Sequence, residues 1–426
     1  MKTTDVFGVS NEQIASYIER DEVDAKFIEG LKLNKHIIVF GASKQGKTAL
    51  TNKHLNDKQF IRVNCSPQTA AIDIYKSILR QLELEFKEER IEKSTSEIDA
   101  KISLKAQVKI PFWATGDGGA EGGGKSITEK ETKYKSIEYN LALPQDISEI
   151  LKAIKFEKRI ILENFHYLEE STQRELAFHL RIFEDSNILF IILGIWRERN
   201  RLAQFNGDLQ DRLIEIPVEP WNVIDLNKVA TKGSALLKVS FEIILEDLIS
   251  NSFDSIGVFQ ELCKEACIAA GVLEQQKEIK KLISDNLSAA KKKKLDDYSG
   301  RHIRSIETFV EQKAKSSNEV PLYLGYYFIK YLFSMEFEDI ESGIKRSAIH
   351  EGIKKIHHRP NDVRPSDMSY FLHNLIATQI KKSIIPPLFD YDRSTRKLKV
   401  IDSTLYFFLR NVNKSEVLEE LDAPLR

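Results

Sequence analysis

Short apolar runs alternate with longer stretches of helical periodicity along the first half of the chain. Five of these runs have the length of a buried strand, at 36–40, 60–64, 159–162, 188–193 and 213–218. Between them apolar residues recur at helical spacing, as in 70–84, where Ile74 and Ile78 share one face. Strands that alternate with helices in this way are typical of a parallel α/β sheet.

A different pattern interrupts this alternation at about 100–143. Apolar Ala106 and Val108 alternate with polar neighbours, and the alternation returns after residue 136. Period two is typical of a strand with one solvated face, so the segment predicts a β-hairpin inserted into the sheet domain. Its glycine-rich tip, between Gly116 and Gly124, predicts a flexible loop rather than a phosphate site, because no strand leads into a Gly-Lys-Ser/Thr ending.

The rest of the chain changes character twice. Helical spacing dominates from 221 to about 335, with a lysine-rich connector at 291–294. After that come a helix that Ser366 is placed to cap, a Pro-Pro break and a hairpin pattern around 392–397. We therefore expect three domains: a sheet domain at 1–220, a helical lid at 221–335 and a winged-helix-like domain at 336–426.

Composition narrows the class of protein. The 426 residues carry a formal net charge of −1, which gives no sign of nucleic acid or an anionic membrane as a partner of the whole chain. Three cysteines exclude a disulfide framework, and Cys263 and Cys267 are predicted to be packed core thiols. The N-terminus lacks the apolar core of a signal peptide, and the longest uncharged apolar run is too short to span a bilayer. We expect a cytoplasmic protein with no membrane partner.

The clearest chemical signal follows the first predicted strand. The pattern G-x-x-x-x-G-K-[ST] is matched, with a helix after it, by Gly41-Ala42-Ser43-Lys44-Gln45-Gly46-Lys47-Thr48, and Ala49 continues the helix start. The glycines let the backbone curl so that its N–H groups face phosphate oxygens. Lys47 is expected to reach the β- and γ-phosphates and Thr48 to hold Mg²⁺. ATP and Mg²⁺ are therefore the expected cofactors.

A second acidic group is expected at the end of a neighbouring strand. Glu163 follows the apolar run that ends at Leu162, which places it where ligands bind in open α/β sheets, as a second Mg²⁺ ligand. Asn164 follows, where many such ATPases carry a carboxylate base, and an amide cannot take a proton from water. Hydrolysis is therefore expected to be slow unless Glu163, His166 or Glu169 acts as the base.

These motifs resemble those of the AAA+/STAND-like P-loop ATPases, and among them the bacterial ATPases of defence systems. The chain is also similar to origin-recognition and transposition-regulator ATPases. Besides the phosphate loop, the resemblance rests on three segments, at residues 17–20, 163–168 and 207–213. It covers about the first 220 residues of the chain.

The resemblance implies roles for residues outside the phosphate loop. Such families line the adenine pocket with the segment before the first strand, which implies that Tyr17 and Arg20 lie near the base. For Tyr17 the alternative is an amphipathic helix that covers the edge of the sheet. They also place an arginine before the fifth strand, where it reaches ATP on a neighbouring subunit. Arg212 matches that place; the alternatives are a surface salt bridge with Asp208 or Asp211, or one of Arg197, Arg199 and Arg201 in the same role.

Two departures from the family pattern favour a switch over a motor. The end of the fourth strand, 193–196, has no polar residue to sense the γ-phosphate, and Gln260 stands where a sensor arginine is expected. The main hypothesis is a slowly hydrolysing switch that self-associates through its ATPase domain and controls an effector protein, in antiphage defence.

The alternative is an ATP-dependent DNA-binding loader or transposition-type regulator. Basic residues in three places could contact phosphates, although each group is equally consistent with a solvated face: the wing residues Arg393, Arg396 and Lys397, the inserted strand's Lys101, Lys105 and Lys109, and 291–294.

Overall fold

The computed structural model describes residues 1–10, 13–90, 104–111, 134–196, 198, 200–311 and 321–421. The elements up to residue 217 are α1 (Thr3–Val6), α2 (Asp21–Lys32), β1 (His36–Phe40), α3 (Lys47–His54), β2 (Phe60–Asn64), α4 (Ala71–Gln81), β3 (Phe86–Arg90), β4 (Leu104–Pro111), β5 (Tyr134–Asn140), α5 (Pro144–Ala153), β6 (Arg159–Glu163), α6 (Glu170–Asp185), β7 (Phe190–Gly194), α7 (Arg201–Phe205) and β8 (Leu213–Pro217).

A five-stranded parallel sheet in the order β2-β6-β7-β1-β8 forms the centre of this part. Every residue of β1 and β7 is buried, because helices cover both faces of the sheet. This explains why these strands are uninterrupted apolar runs rather than alternating ones. The predicted α/β class and all five predicted strands are confirmed, and the bounds of the last three differ by one or two residues.

The insertion forms a second sheet. β4 and β5 pair antiparallel, with Val108 opposite Ile137, so the predicted hairpin is confirmed. β3 adds a third strand that the sequence did not predict, because its five residues are mostly charged. Ala106 and Val108 are buried against the main core, whereas the outward Lys109 pairs with Glu85. The predicted glycine-rich tip and Lys101 lie outside the described residues.

Helices dominate the next part. Its elements are α8 (Val223–Leu237), β9 (Val239–Ser240), α9 (Leu245–Ser250), α10 (Ile256–Ala269), β10 (Lys280–Lys281) and α11 (Ser284–Val310). Cys263 and Cys267 are buried in α10, as predicted. The predicted lysine-rich connector is wrong: 291–294 lies inside α11, and Lys294 is buried, with its ammonium group 2.8 Å from Glu261. Lys294 is therefore a core ion-pair residue.

The C-terminal part has a winged-helix arrangement. Its elements are α12 (Leu324–Phe333), α13 (Phe337–Glu341), β11 (Ile344–Lys345), α14 (Arg346–Ile356), α15 (Pro365–His373), α16 (Leu375–Lys381), β12 (Phe389–Asp392), β13 (Lys397–Val400), α17 (Ser403–Asn411) and α18 (Lys414–Glu420). A three-stranded antiparallel sheet in the order β11-β13-β12 carries the wing turn. None of the described helices is long and apolar enough to cross a membrane.

Two details of this part differ from the sequence prediction. The helix expected from Ser366 to 382 is two helices, which meet at Asn374. Its first turn is capped by Asp367, which accepts the backbone N–H of Arg364 at 3.2 Å, and not by Ser366. Helix α12 packs in the same apolar cluster as α14, α15 and α17. The boundaries at 220/221 and 335/336 remain our proposal for the division into domains.

Candidate functional site

The loop from β1 to α3 has the curled backbone that the sequence predicts from its glycines. Gly41 and Gly46 have φ of 154° and 85°, and a Cβ on Gly41 would lie 2.8 Å from the Val218 side chain. Both positions therefore require glycine. Lys44 also has a positive φ, of 60°, although it carries a side chain.

Lys47 is folded back onto the loop that carries it. Its Nζ donates to the carbonyl oxygens of Gly41, at 3.0 Å, and Ala42, at 2.6 Å. Burial lowers the pKa of Lys47 to about 8, against the opposing effect of Glu219. The Glu219 carboxylate accepts the backbone N–H of Ala42 at 3.0 Å. The loop thus holds a part-buried cation among carbonyl oxygens.

Thr48 and Glu163, the two residues expected to hold Mg²⁺, meet across the loop. The Thr48 hydroxyl donates to Oε1 of Glu163 at 3.0 Å. The same carboxylate oxygen accepts from Nη1 of Arg62 at 2.7 Å, and this partner on β2 was not predicted. Two oxygen ligands suitable for Mg²⁺ therefore lie side by side, with a guanidinium group competing for one of them.

Asn164 and His166 follow Glu163 in the pocket wall. Asn164 has a left-handed backbone, with φ of 59°, a conformation that asparagine tolerates better than most residues. His166 is 2% exposed, and neither of its ring nitrogens has a hydrogen-bond partner. Burial, together with nearby Lys47 and Arg201, holds the pKa of His166 well below its usual range. His166 is therefore neutral at pH 7 and has an available lone pair.

A cavity of about 400 Å³ gathers most of the predicted residues. Of the predicted site residues, its wall includes Tyr17, Arg20, Ser43, Lys44, Gln45, Gly46, Lys47, Thr48, Ala49, Glu163 and Asn164. Gly41 and Ala42 lie behind Lys47 and bond to it through their carbonyls. The wall also includes Gly8, Val9 and Trp221, which carry no motif that would have selected them from the sequence. We call this cavity the nucleotide pocket.

Comparison with known proteins places this geometry in a known fold. No protein-family model and no curated protein sequence matches the chain. The Walker-type ATPase PABY2304 of Pyrococcus abyssi is similar in structure, with a TM-score of 0.52 at 13% identity over 92% of this chain and 96% of that one. The chain has the fold of a Walker-type ATPase. The predicted P-loop ATPase fold is thereby confirmed.

Two other solved structures are similar at lower scores. The Orc1 protein of Aeropyrum pernix, solved in complex with DNA, has a TM-score of 0.44 at 12% identity, over 98% of this chain and 96% of that one. A single-residue variant of RuvB from Thermotoga maritima has a TM-score of 0.39 at 9% identity, over 96% of each chain.

Tyr17 and Arg20 line the nucleotide pocket of this Walker-type fold, but their polar groups are engaged within the protein. The Tyr17 hydroxyl donates to Asp24 at 2.7 Å, and burial raises the pKa of Tyr17. The Arg20 guanidinium lies 3.9 Å from the centre of the Trp221 ring and donates to the Val218 carbonyl at 2.8 Å. They contribute a flat, largely apolar wall.

Arg212 lies at the amino end of β8, outside the nucleotide pocket. Its guanidinium group is 2.7 Å from both Glu184 and Asp185 at the end of α6, and these hydrogen bonds raise its pKa. The alternative of a salt bridge at Arg212 is therefore found with Glu184 and Asp185 as the partners, whereas Asp208 pairs with Arg181.

Of the competing arginines, Arg201 lies 3.7 Å from Asp390. Arg197 and Arg199 lie outside the described residues.

The two departures from the family pattern have physical reasons. A Cβ on Gly194, at the end of β7, would fall 1.5 Å from a ring atom of Trp196, so the large ring excludes a polar side chain. Gln260 is 2% exposed, lines the nucleotide pocket and donates to the Ser16 hydroxyl at 3.0 Å. It ties the N-terminal segment to α10.

The C-terminal part touches the phosphate loop directly. The backbone N–H of Ser43 donates to the Ile401 carbonyl at 3.1 Å, and the Ser403 hydroxyl donates to the Ser43 carbonyl at 3.0 Å. Asp402, which lies between Ile401 and Ser403 in the sequence, is 1% exposed, and its carboxylate lies 2.6 Å from the Arg301 guanidinium group. This contact joins segments that are far apart in the sequence, and no local pattern predicted it.

Proposed function

We propose that this chain binds ATP with Mg²⁺ in the nucleotide pocket, hydrolyses it slowly, and uses it as a cytoplasmic switch that self-associates and controls an effector protein. The observation that carries the proposal is the contact of the C-terminal part with the same loop that presents Lys47 and Thr48. Nucleotide occupancy and the position of that part are coupled through one short backbone segment. The antiphage setting of the effector rests on the sequence resemblance alone.

The residues at the site fit a magnesium–triphosphate group. Thr48 and Glu163 supply adjacent oxygens that suit Mg²⁺, and Lys47 has two carbonyl partners that a phosphate can replace. Bound Mg²⁺ would neutralise the charge that develops on the phosphates. Lys47 would move from its own loop to the β- and γ-phosphates, so that its buried charge gains a stronger partner.

Slow hydrolysis follows from the group beside Glu163. The Asn164 amide can orient water through hydrogen bonds but cannot accept its proton. His166 lies in the pocket wall and is neutral, but a base with so low a pKa takes a proton from water poorly. Glu169 lines a different cavity. Of the bases considered from the sequence, Glu163 and His166 remain, and Glu163 is already bonded to Arg62.

Switching would act through Ser43. Its backbone N–H is bonded to Ile401, whereas phosphate loops present such groups to phosphates. Adjustment of the loop around a γ-phosphate would weaken the two bonds to the 401–403 segment and release the C-terminal part. Self-association through the ATPase part, with Arg212 reaching a neighbouring copy, completes the proposal.

Calorimetry with ATP and Mg²⁺ tests the proposal, together with mass measurement in solution with and without ATP. We expect binding heat and ATP-dependent assembly in the wild type and the loss of both in Lys47→Ala. Lys53→Ala is the matched control, since Lys53 lies on the same helix and pairs with Glu19 at the surface. Absence of heat with any purine triphosphate in well-folded protein would overturn it, and a monomer in all conditions would remove the assembly step.

DNA binding is the second candidate, and the winged-helix arrangement favours it. The wing residues are partly engaged, however: Arg393 lies 3.5 Å from Glu170, and Lys397 donates to the Ser342 carbonyl at 3.1 Å. Salt-dependent duplex binding that is lost on replacing Arg393, Arg396 and Lys397 would favour this function. Unchanged duplex binding in that variant with loss of effector association would favour the switch.

A further inference from the structure

An open groove lies where the helical part of the chain meets the C-terminal part. It has a volume of about 660 Å³. Its lining comes from the start of α8, from α9 with the residues that flank it, and from the end of α13. We call it the junction groove. Its apolar lining residues are Val223, Leu245, Ile249 and Phe253.

The apolar side chains of the junction groove remain accessible to solvent. Val223, in the first turn of α8, is 54% exposed, and Leu245, Ile249 and Phe253 are each half-buried. Single exposed apolar residues are common on protein surfaces, but apolar residues that line one groove together mark a binding surface. The described residues leave this surface uncovered, so it is available to a partner.

The charges beside these apolar residues indicate which partner fits. Glu242, Glu246 and Asp254 line the groove, are exposed, and form no ion pair with another described residue. Glu341 adds a fourth carboxylate from the end of α13, and the described lining contains no lysine or arginine. A segment whose apolar residues are flanked by lysine or arginine therefore matches both the apolar surface and its charge, whereas an acidic segment would be repelled.

We propose that the junction groove binds a basic amphipathic segment of another protein, in which apolar residues recur at helical spacing and lysine or arginine flanks them. The apolar residues of the segment pack on Val223, Leu245 and Phe253, and its basic groups pair with the carboxylates of the groove. The apolar contacts supply most of the affinity, and the charges select the partner. The identity of the partner as the effector rests on the proposed function; binding of the segment does not.

The junction groove is connected to the nucleotide pocket through Phe253 and Asp254. The Asp254 carbonyl accepts the backbone N–H of Trp221 at 3.3 Å. Trp221 lines the nucleotide pocket, and its ring nitrogen donates to the Gln45 carbonyl of the phosphate loop at 3.4 Å. Phe253 packs against Phe407 of α17, with ring centroids 6.5 Å apart. The same two groove residues therefore contact the wall of the nucleotide pocket and the C-terminal part.

These contacts predict how nucleotide regulates the groove. Glu341 and Phe407 belong to the C-terminal part, which ATP releases in the proposed function. Release would take Glu341 away from the groove and Phe407 away from Phe253. ATP should therefore weaken binding of the basic segment, and by reciprocity the segment should weaken ATP binding. The chain without nucleotide holds the partner, and ATP frees it.

Fluorescence anisotropy of a short labelled peptide with leucine and lysine at helical spacing, added to the full chain without nucleotide, tests the groove. We expect this peptide to bind, and peptides with glutamate for lysine or glutamine for leucine to bind about tenfold more weakly or not at all. Glu246→Lys should weaken binding about fivefold. Asp247→Lys is the matched control, since it makes the same charge change on the next residue of α9, outside the groove.

A second pair of variants tests the apolar contact. Val223→Ser should weaken peptide binding about fivefold or more, whereas Ile224→Ser, at the next and equally accessible position outside the groove, should not. No binding of the leucine–lysine peptide, or an equal loss in Glu246→Lys and Asp247→Lys, would overturn the site. Self-association that Glu246→Lys abolishes, without peptide binding, would assign the groove to a second copy and overturn the proposal as well.

Lys47→Ala separates this proposal from the proposed function. It should lose ATP binding and keep peptide binding, since Lys47 does not line the junction groove. ATP with Mg²⁺ should weaken peptide binding to the wild type and leave it unchanged in Lys47→Ala. Peptide affinity that stays the same in wild-type protein with ATP bound would overturn the coupling, whereas a failure of ATP to bind would overturn the proposed function and leave the groove in place.

Discussion

The two ends of the central sheet differ in how completely their polar groups are bonded within the protein. At the amino end, Arg159 donates to four main-chain carbonyls, and both ring nitrogens of His36 have main-chain partners. At the carboxyl end, Lys47 rests on its own loop and His166 has no partner. Polar groups at the carboxyl end can still bind a ligand, whereas those at the amino end are already bonded within the protein. We therefore assign ligand binding to the carboxyl end and stability to the amino end.

Replacement of Arg159 should give the largest effect on stability. Its guanidinium group bonds to the carbonyls of Lys35, Gly30, Leu31 and Leu33 at 2.9–3.3 Å, which closes the end of α2. Arg159→Ala should lower the free energy of unfolding by about 3 kcal/mol in denaturant titration. ATP affinity should stay unchanged, and the exposed neighbour variant Lys158→Ala should change neither. A loss of ATP affinity without a loss of stability would contradict the assignment of the two ends.

Acidification should destabilise the amino end through His36. Its Nδ1 accepts the Phe190 N–H at 3.0 Å, so Nε2 carries the proton and donates to the Leu180 carbonyl at 2.8 Å. Burial lowers the pKa of His36 to about 4 from an ordinary 6.5. The unfolded chain therefore takes up a proton first, and stability falls as pH drops from about 6.5 toward 4.

The expected loss from His36 between pH 7.5 and 5 is about 2 kcal/mol. His179 and His302 also have a pKa of about 4 through burial, so the wild type should lose more than this. His36→Gln isolates the contribution, because glutamine can also donate and accept but does not titrate. Equal pH dependence of unfolding in the wild type and His36→Gln would contradict the prediction.

How far the sequence predicts the molecule depends on whether a feature is local. The phosphate loop and the strands around it were predictable because an apolar run, two glycines and a lysine specify them within a few residues. Three other features were not predictable from the sequence. They are the ion pair of Arg62 with Glu163, the contact of residues 401–403 with Ser43, and the absence of hydrogen-bond partners for the His166 ring. Each depends on elements that are far apart in the sequence, and such pairings leave no periodic pattern.

Arg62 competes with Mg²⁺ for Glu163 at the carboxyl end of the sheet. It neutralises Glu163 from β2 and also donates to Asn52 at 2.7 Å. Arg62→Met should free the carboxylate and strengthen Mg²⁺ binding in the nucleotide complex by about 1 kcal/mol, or roughly fivefold. A magnesium titration at fixed ATP measures this. The exposed Arg80→Met on α4 should leave it unchanged, and weaker Mg²⁺ binding in Arg62→Met would mean that Arg62 supports the ligand.

Replacement of Arg212 should have the smallest effect on stability. Arg212 lies at the amino end of the sheet, yet we propose that it acts on ATP bound by a neighbouring copy. Its ion pairs with Glu184 and Asp185 lie near the surface, so Arg212→Ala should cost about 0.5 kcal/mol or less. Arg181→Ala breaks the nearby pair with Asp208 and is the matched control. In a series of protein concentrations, ATP turnover per chain should fall in Arg212→Ala where the wild type self-associates, and should match the wild type in dilute protein. Equal turnover in Arg212→Ala and Arg181→Ala at every protein concentration would mean that Arg212 only stabilises the fold. The amino end of the sheet would then have no part in hydrolysis.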